Sequence, residues 1–308
     1  MSVELTIGPI AYHWPTARKR DFYARIADEA PVATVYLGEV ICSKRSPFFD
    51  ADLPGVIERL QRGGKRVVLS TLAEVVLPRE RHATLQLCSQ DDFEVEINNV
   101  SGLAARGNRP HRIGPFLNAT NEATISWMAG QGASHVCLPH ELPAPSLAVA
   151  AGAARELGIT TELQVFGRAP LAVSARCYHA RAHGRHKDNC QFVCEDDTDG
   201  MPLVTVAGEA FLRVNGIQTQ SESYVCLAAE LADIVSMGVS ALRLMPQDVD
   251  MVGVAQVFPA LLDGGLDVDA ATGRLEGLCS GIRFSNGFFH KVPGRHYVPV
   301  HAGDRVLQ

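Results

Sequence analysis

The chain of 308 residues is long enough to bury roughly three quarters of the surface its unfolded form would expose, so its core needs no disulfide staple. With 46% apolar and 20% charged residues it has the profile of a compact protein, which excludes a disordered or fibrous one. A balance of 28 basic against 34 acidic side chains, net charge -6, leaves no broad cationic surface for nucleic acid or anionic lipid.

Short apolar runs of strand length alternate with amphipathic stretches along most of the sequence. Strands are expected at 4–10, 32–38, 66–71, 93–98, 112–118, 135–138, 160–167 and 241–245. Helical patterns lie between or after them at 15–30, 53–61, 121–129, 146–157, 223–237 and 248–262. Alternation of this kind calls for a parallel sheet, and eight β/α units match a closed (β/α)8 TIM-like barrel. A doubly wound sheet usually carries a Gly-rich phosphate loop after its first strand, and Gly8-Pro9-Ile10-Ala11-Tyr12 is not one.

The repeat is interrupted at 175–220, read as a cysteine-bearing insertion after the seventh strand. It carries three cysteines, then Glu195-Asp196-Asp197, then strand-like runs at 201–206 and 210–215 that suit a hairpin turned at Ala207-Gly208-Glu209. Residues 265–308 read as an irregular extension wrapping the outside of one barrel domain spanning 1–308. No apolar run is long enough to span a bilayer, and the amino terminus lacks the basic and apolar segments of an export signal. A cytoplasmic location is therefore expected, and there eight cysteines are not a disulfide framework.

Cys177-x12-Cys190-x3-Cys194 gathers three thiols on one polar loop among Arg176, Arg181, Arg185, His186 and Lys187. Cationic neighbours are expected to lower the thiol pKa values and favour metal-binding thiolates. Cys42 follows the second strand and so opens on the same face as a loop after the seventh, which makes it the candidate fourth ligand. A [4Fe-4S] cluster and a tetrahedral zinc both accept four thiolates. The scattered spacing favours the cluster, with zinc and unlinked thiols as the alternatives. Cys88, Cys137, Cys226 and Cys279 sit in apolar contexts and read as core. His179, His183 and His186 read as part of a solvated basic loop.

Polar residues at strand ends are candidates for lining a substrate site: Glu39, Asn98, Asn99, Asn118, Arg168 and Gln247, with Arg176 beside the cysteines. Helix capping competes for Asn98, Asn99, Asn118 and Asn121. No Gly-x-Ser-x-Gly elbow and no His-Glu-x-x-His helix occurs.

The stretches Tyr36-Leu-Gly-Glu-Val-Ile-Cys42, Phe166-Gly-Arg-Ala-Pro170, Ala175-Arg-Cys-Tyr178 and Cys190-Gln-Phe-Val-Cys194, with Gly8-Pro9-Ile10, Tyr12 and Trp14, resemble the collagenase-like peptidase family and, within it, a subgroup concerned with ubiquinone biosynthesis. The resemblance implies a [4Fe-4S] cluster on Cys42, Cys177, Cys190 and Cys194. It implies a heterodimer with a related UbiU-like cluster protein, and oxygen-independent ring hydroxylation of a quinone precursor with prephenate as the oxygen donor. It identifies no catalytic residue. A noncatalytic metal-stapled scaffold and a peptidase-type hydrolase are the competing readings.

Overall fold

The computed structural model describes residues 3–299. Eight strands form the barrel: β1 (Glu4–Ile7), β2 (Thr34–Leu37), β3 (Arg66–Ser70), β4 (Glu94–Ile97), β5 (His111–Ile113), β6 (Ala133–Leu138), β7 (Thr160–Val173) and, after three further strands, β11 (Ala241–Leu244). Each is parallel to its neighbour in the order β11-β1-β2-β3-β4-β5-β6-β7, and pairing of β7 with β11 closes the ring. The expected (β/α)8 barrel is therefore present. Strands buried on both faces carry near-continuous apolar runs, because helices cover the outside and side chains fill the inside. All four residues of β2 (Thr-Val-Tyr-Leu) and of β11 (Ala-Leu-Arg-Leu) are buried.

The covering helices are α1 (Thr16–Glu29), α2 (Leu53–Arg62), α3 (Pro78–Ser89), α4 (Val100–Arg106), α5 (Glu122–Gly130) and α6 (Ala144–Glu156). After the cysteine-loop helix α7 (Tyr178–Ala182) come α8 (Leu231–Ser236), α9 (Met251–Leu262) and α10 (Val268–Leu278). Proline precedes or opens α1, α2, α3 and α6, where its missing N–H costs nothing and its fixed φ suits the first turn.

β7 is the longest element, and its second half leaves the barrel at the carboxyl-end face. There it pairs antiparallel with β10 (Gln218–Cys226), which pairs with β9 (Ala210–Asn215) and that in turn with β8 (Met201–Val204). The expected hairpin at 201–215 is present, as β8 and β9. Two expectations are corrected. Residues 223–226 belong to strand β10 and not to a helix, because β7 offers them a ladder. The segment after 265 is not wholly irregular: Asp267 caps α10 by accepting from Ala270 N at 2.7 Å, and β12 (Phe284–Ser285) joins β10. Residues 300–308 of the expected extension lie outside the described residues. Among the described residues, no helix is long and apolar enough to cross a membrane.

Candidate functional site

The barrel interior is sealed by charge. From β4, β7 and β11 the sequence turns Glu96, Glu162 and Arg243 inward, all at 1% exposure or less. Arg243 Nη2 donates to Glu96 Oε1 at 2.6 Å and also pairs with Glu162, while its guanidinium lies 3.9 Å from the centroid of the Tyr36 ring. Tyr36 Oη donates to Glu162 Oε2 at 3.1 Å, and Ser70 Oγ to Glu96 Oε2 at 2.8 Å. Burial alone would raise the Glu162 carboxyl, but Arg243 and His135 outweigh it and hold the group well below the ordinary carboxylate range. This network crosses the barrel interior and joins five strands, β2, β3, β4, β7 and β11.

Above it, at the mouth, most of the polar residues expected to line a substrate site are already committed. Arg168 is fully buried, pairs with Asp199, donates Nη1 to Ser221 O at 2.9 Å and lies 4.8 Å from the Tyr224 ring centroid. It therefore ties the cysteine loop and β10 onto β7. Trp14 Nε1 helps by donating to Thr198 O at 2.7 Å. Gln247 accepts from Tyr12 Oη at 2.9 Å. Buried Asn98 donates to Thr71 O and Glu96 Oε2, both at 3.2 Å, leaving its Oδ1 without a partner. Asn99 and Asn121 are helix caps, accepting from Ser101 N and Thr124 N. Asn118 is exposed with φ +51°, a left-handed turn position that suits asparagine. Glu39 accepts from Ile41 N at 3.0 Å and Cys42 N at 2.9 Å, shaping the turn that presents the cysteine.

The loops after β2 and β7 meet. Cys42 and Cys177 both pack against the small apolar cluster of Ala11, Val40, Ile41 and Ile217. Electrostatic interaction links Cys177 with Cys194 and Cys190, and Arg45 with Cys194 and Cys42. Lys44 Nζ stands 3.7 Å from Cys190 Sγ. Between Cys190 and Cys194 the backbone turns through two left-handed residues, Gln191 and Phe192, at φ +49° and +53°. Such conformations are costly outside glycine and persist only where packing enforces them. Phe192 is so enforced, against the rings of Phe48 at 4.7 Å and His13 at 5.4 Å.

Arg45 sits at the centre of this meeting point, 1% exposed. Its Nη1 donates to Ala11 O at 2.8 Å and its Nη2 to Asn215 Oδ1 at 2.9 Å, while its buried Nε has no hydrogen-bond partner. Gly216 makes room for it: a Cβ there would stand 2.7 Å from Arg45 Nη2, and φ of +63° already favours glycine. A buried cation with a spare donor, facing thiols from two loops, favours negative charge at this point. Lys44 on Cys190 adds a second cation. Among the described residues, no group of three or more His, Cys, Asp or Glu side chains is gathered tightly enough to hold a single metal ion.

At Cys42 and Cys177 the cationic neighbours do not bring about the expected lowering of the thiol pKa. Burial pushes the Cys42 and Cys177 thiols up, and Arg45 only partly offsets it. The remaining four cysteines are core, as expected, with burial raising Cys88 to about 11 and Cys226 and Cys279 to about 12. His179 departs from the solvated-loop reading: it is buried, with Nε2 2.8 Å from Asp197 Oδ2, because α7 packs inward under the loop.

Beside Cys177 lies a groove of about 690 Å³ whose walls carry Arg176, Arg181, Arg185 and Lys187 together with Val76 and Leu77. Sequence reasoning missed Arg45, Lys44 and Glu162 as members of the two polar centres. For Glu162 the signal was present as a charge inside an apolar strand, whereas Lys44 and Arg45 lie in a polar turn that carries no such signal.

The sequence profile of peptidase family U32 matches residues 16–296. Among solved structures, an uncharacterized B. cereus protein is similar at 9% identity and TM-score 0.37, covering 79% of this chain and 61% of its own, so the chain spans about three fifths of that protein's length. Phospho-2-dehydro-3-deoxyheptonate aldolase from Thermotoga maritima is similar at 12% identity and TM-score 0.36, over 91% of this chain and 71% of the aldolase. The spore cortex-lytic enzyme SleL of Bacillus megaterium is similar at 8% identity and TM-score 0.27, over 79% of this chain and 70% of its own.

Proposed function

The chain belongs to peptidase family U32, and from that premise we propose that it is an iron–sulfur subunit of UbiV type, acting with a UbiU-like partner in the oxygen-independent hydroxylation of a ubiquinone precursor, with prephenate as oxygen donor. Cys42, Cys177, Cys190 and Cys194 would hold a [4Fe-4S] cluster, which when bound supplies one-electron transfer. The observation that carries this reading is the meeting of the two cysteine loops around buried Arg45, whose Nε lacks a partner. Four protein thiolates leave no iron position open to substrate, so an electron-transfer role suits the site better than Lewis-acid chemistry.

This chain's own residues shape the site. Glu39 fixes the Cys42 turn, the Cys177 Sγ accepts from Ala180 N at 3.4 Å at the start of α7, and Arg45 and Lys44 supply positive charge. A metal serving only as a staple is less well supported. Arg168 with Asp199, Trp14 with Thr198 and Lys44 with Lys187 O already tie the loop to the barrel. Proteolysis is not favoured either, since His13, whose ring packs on Phe192 in the Cys190–Cys194 turn, is a poor base: burial, Arg45 and Lys19 push it down to about 4.

The test is anaerobic purification with iron, sulfide and zinc measured per chain, for the unaltered protein and for alanine variants of the four cysteines. About four irons and four sulfides, with a visible band lost in each variant, is the expected result. Stoichiometric zinc without colour, or indifference to the substitutions, refutes the reading.

A further inference from the structure

We infer that the basic groove beside Cys177 is the docking surface for an acidic one-electron carrier protein, which delivers electrons to the centre behind it. The inference rests on the cluster reading proposed above. The chain as a whole is acidic, yet this one groove of about 690 Å³ gathers Arg176, Arg181, Arg185 and Lys187 against a single lining carboxylate, Asp188. None of the four cations is in a salt bridge with a carboxylate among the described residues.

The four divide by role. Arg185 Nη1 donates to Cys190 O at 3.2 Å and Lys187 Nζ to Ala175 O at 3.4 Å, so these half-buried groups hold the loop in shape. Arg176 and Arg181 are exposed and project their charge to solvent, Arg181 at 5.9 Å from the exposed Tyr178 ring. A small anion is held best by convergent donors that bury most of its surface. Exposed cations beside a tyrosine and the half-exposed Val76 are instead the composition of a protein interface whose charges steer encounter. Cys177 lines the same groove, so a partner seated there stands against one of the four thiols.

The transfer balances simply. One electron leaves the reduced centre of the carrier, which is oxidised by one unit, and the cluster is reduced by one unit; no bond forms or breaks.

The experiment uses the full chain, purified anaerobically with its iron and sulfide measured first, and a reduced acidic-surface [2Fe-2S] ferredoxin as probe. Binding and the second-order rate of cluster reduction are compared for the unaltered protein and the double variant Arg176→Glu/Arg181→Glu at low and high salt. The expected result is a drop of about tenfold or more in affinity and rate at low salt, a steep salt dependence lost in the variant, and unchanged reduction by dithionite. Unchanged ferredoxin binding and rate in an iron-loaded variant would overturn the docking inference alone. So would citrate binding that the variant loses while it keeps ferredoxin. Absence of iron from the unaltered chain would instead overturn the cluster reading and the transfer with it.

Discussion

Replacing Arg243 with methionine should be the most damaging single change inside the barrel. Methionine retains much of the volume but removes the cation shared by Glu96 and Glu162, which are 1% and 0% exposed and separated from solvent by the strands themselves. Breaking a buried pair from one side costs about 3–5 kcal/mol, because the surviving carboxylates keep donors such as Tyr36 and Ser70 but lose the cation that balanced their charge away from water. Arg112 Nη1 reaches Tyr36 Oη at 3.0 Å and so compensates only indirectly. The pH dependence supplies a sign. In the unaltered protein the Glu162 carboxyl lies below its ordinary value in the folded state, so its stabilising contribution is present above the unfolded value near 4.5 and is lost as pH falls through the depressed one. Without Arg243, burial dominates and raises the group, so lowering the pH towards 5 should recover stability in the variant while leaving this contribution in the unaltered protein unchanged. Urea denaturation followed by circular dichroism at pH 5 and 7.5 reads both effects. An Arg243→Met variant with an unchanged urea midpoint at pH 7.5, or one that gains no stability relative to the unaltered protein between pH 7.5 and 5, would refute this account of the interior.

Other outcomes follow from the mouth. Arg45→Met should still fold, since Asn215 Nδ2 continues to donate to Ala11 O at 2.8 Å, but it should cost about 1–3 kcal/mol through the abandoned Asn215 Oδ1 and lower the iron bound per chain. Thermal melting and iron analysis check it. Arg168→Met should leave Asp199 without its cation and loosen the cysteine loop, read as faster limited proteolysis within 174–200 while the barrel resists. Asn121→Ala should cost about 1 kcal/mol by removing the cap of α5 and leave iron content unchanged; a loss of iron would contradict the capping role.

Much of the barrel could be read from the chain because its strands are buried on both sides and therefore leave uninterrupted apolar runs. What escaped did so for local reasons. The run Ser-Tyr-Val-Cys-Leu-Ala-Ala from 223 satisfies a helical period as well as an extended one, and only the protruding half of β7 decides for strand. α10 contains Gly273 and Gly277, which weaken a helical signal that the Asp267 cap restores. At the site, the spacing of the four cysteines could be seen, but their surroundings could not. Arg45 lies three residues beyond Cys42 in what reads as an ordinary polar turn, and its burial depends on Asn215 and Gly216 arriving from more than 160 residues away. The same distance hid the roles of Arg168 and Asp199. A strand-end arginine looks available to a ligand until the loop that follows supplies its carboxylate.

The length of β7 has a consequence for motion. One continuous strand serves first as a stave of the barrel, bonded to β6 and β11, and then as the stem of the side sheet, bonded to β10. No flexible linker separates the two, so the cysteine loop is mounted on the barrel wall and cannot swing as an independent lid. Amide hydrogens along 166–173 should therefore exchange only with global opening of the barrel, and the geometry around the thiols should be as durable as the fold itself.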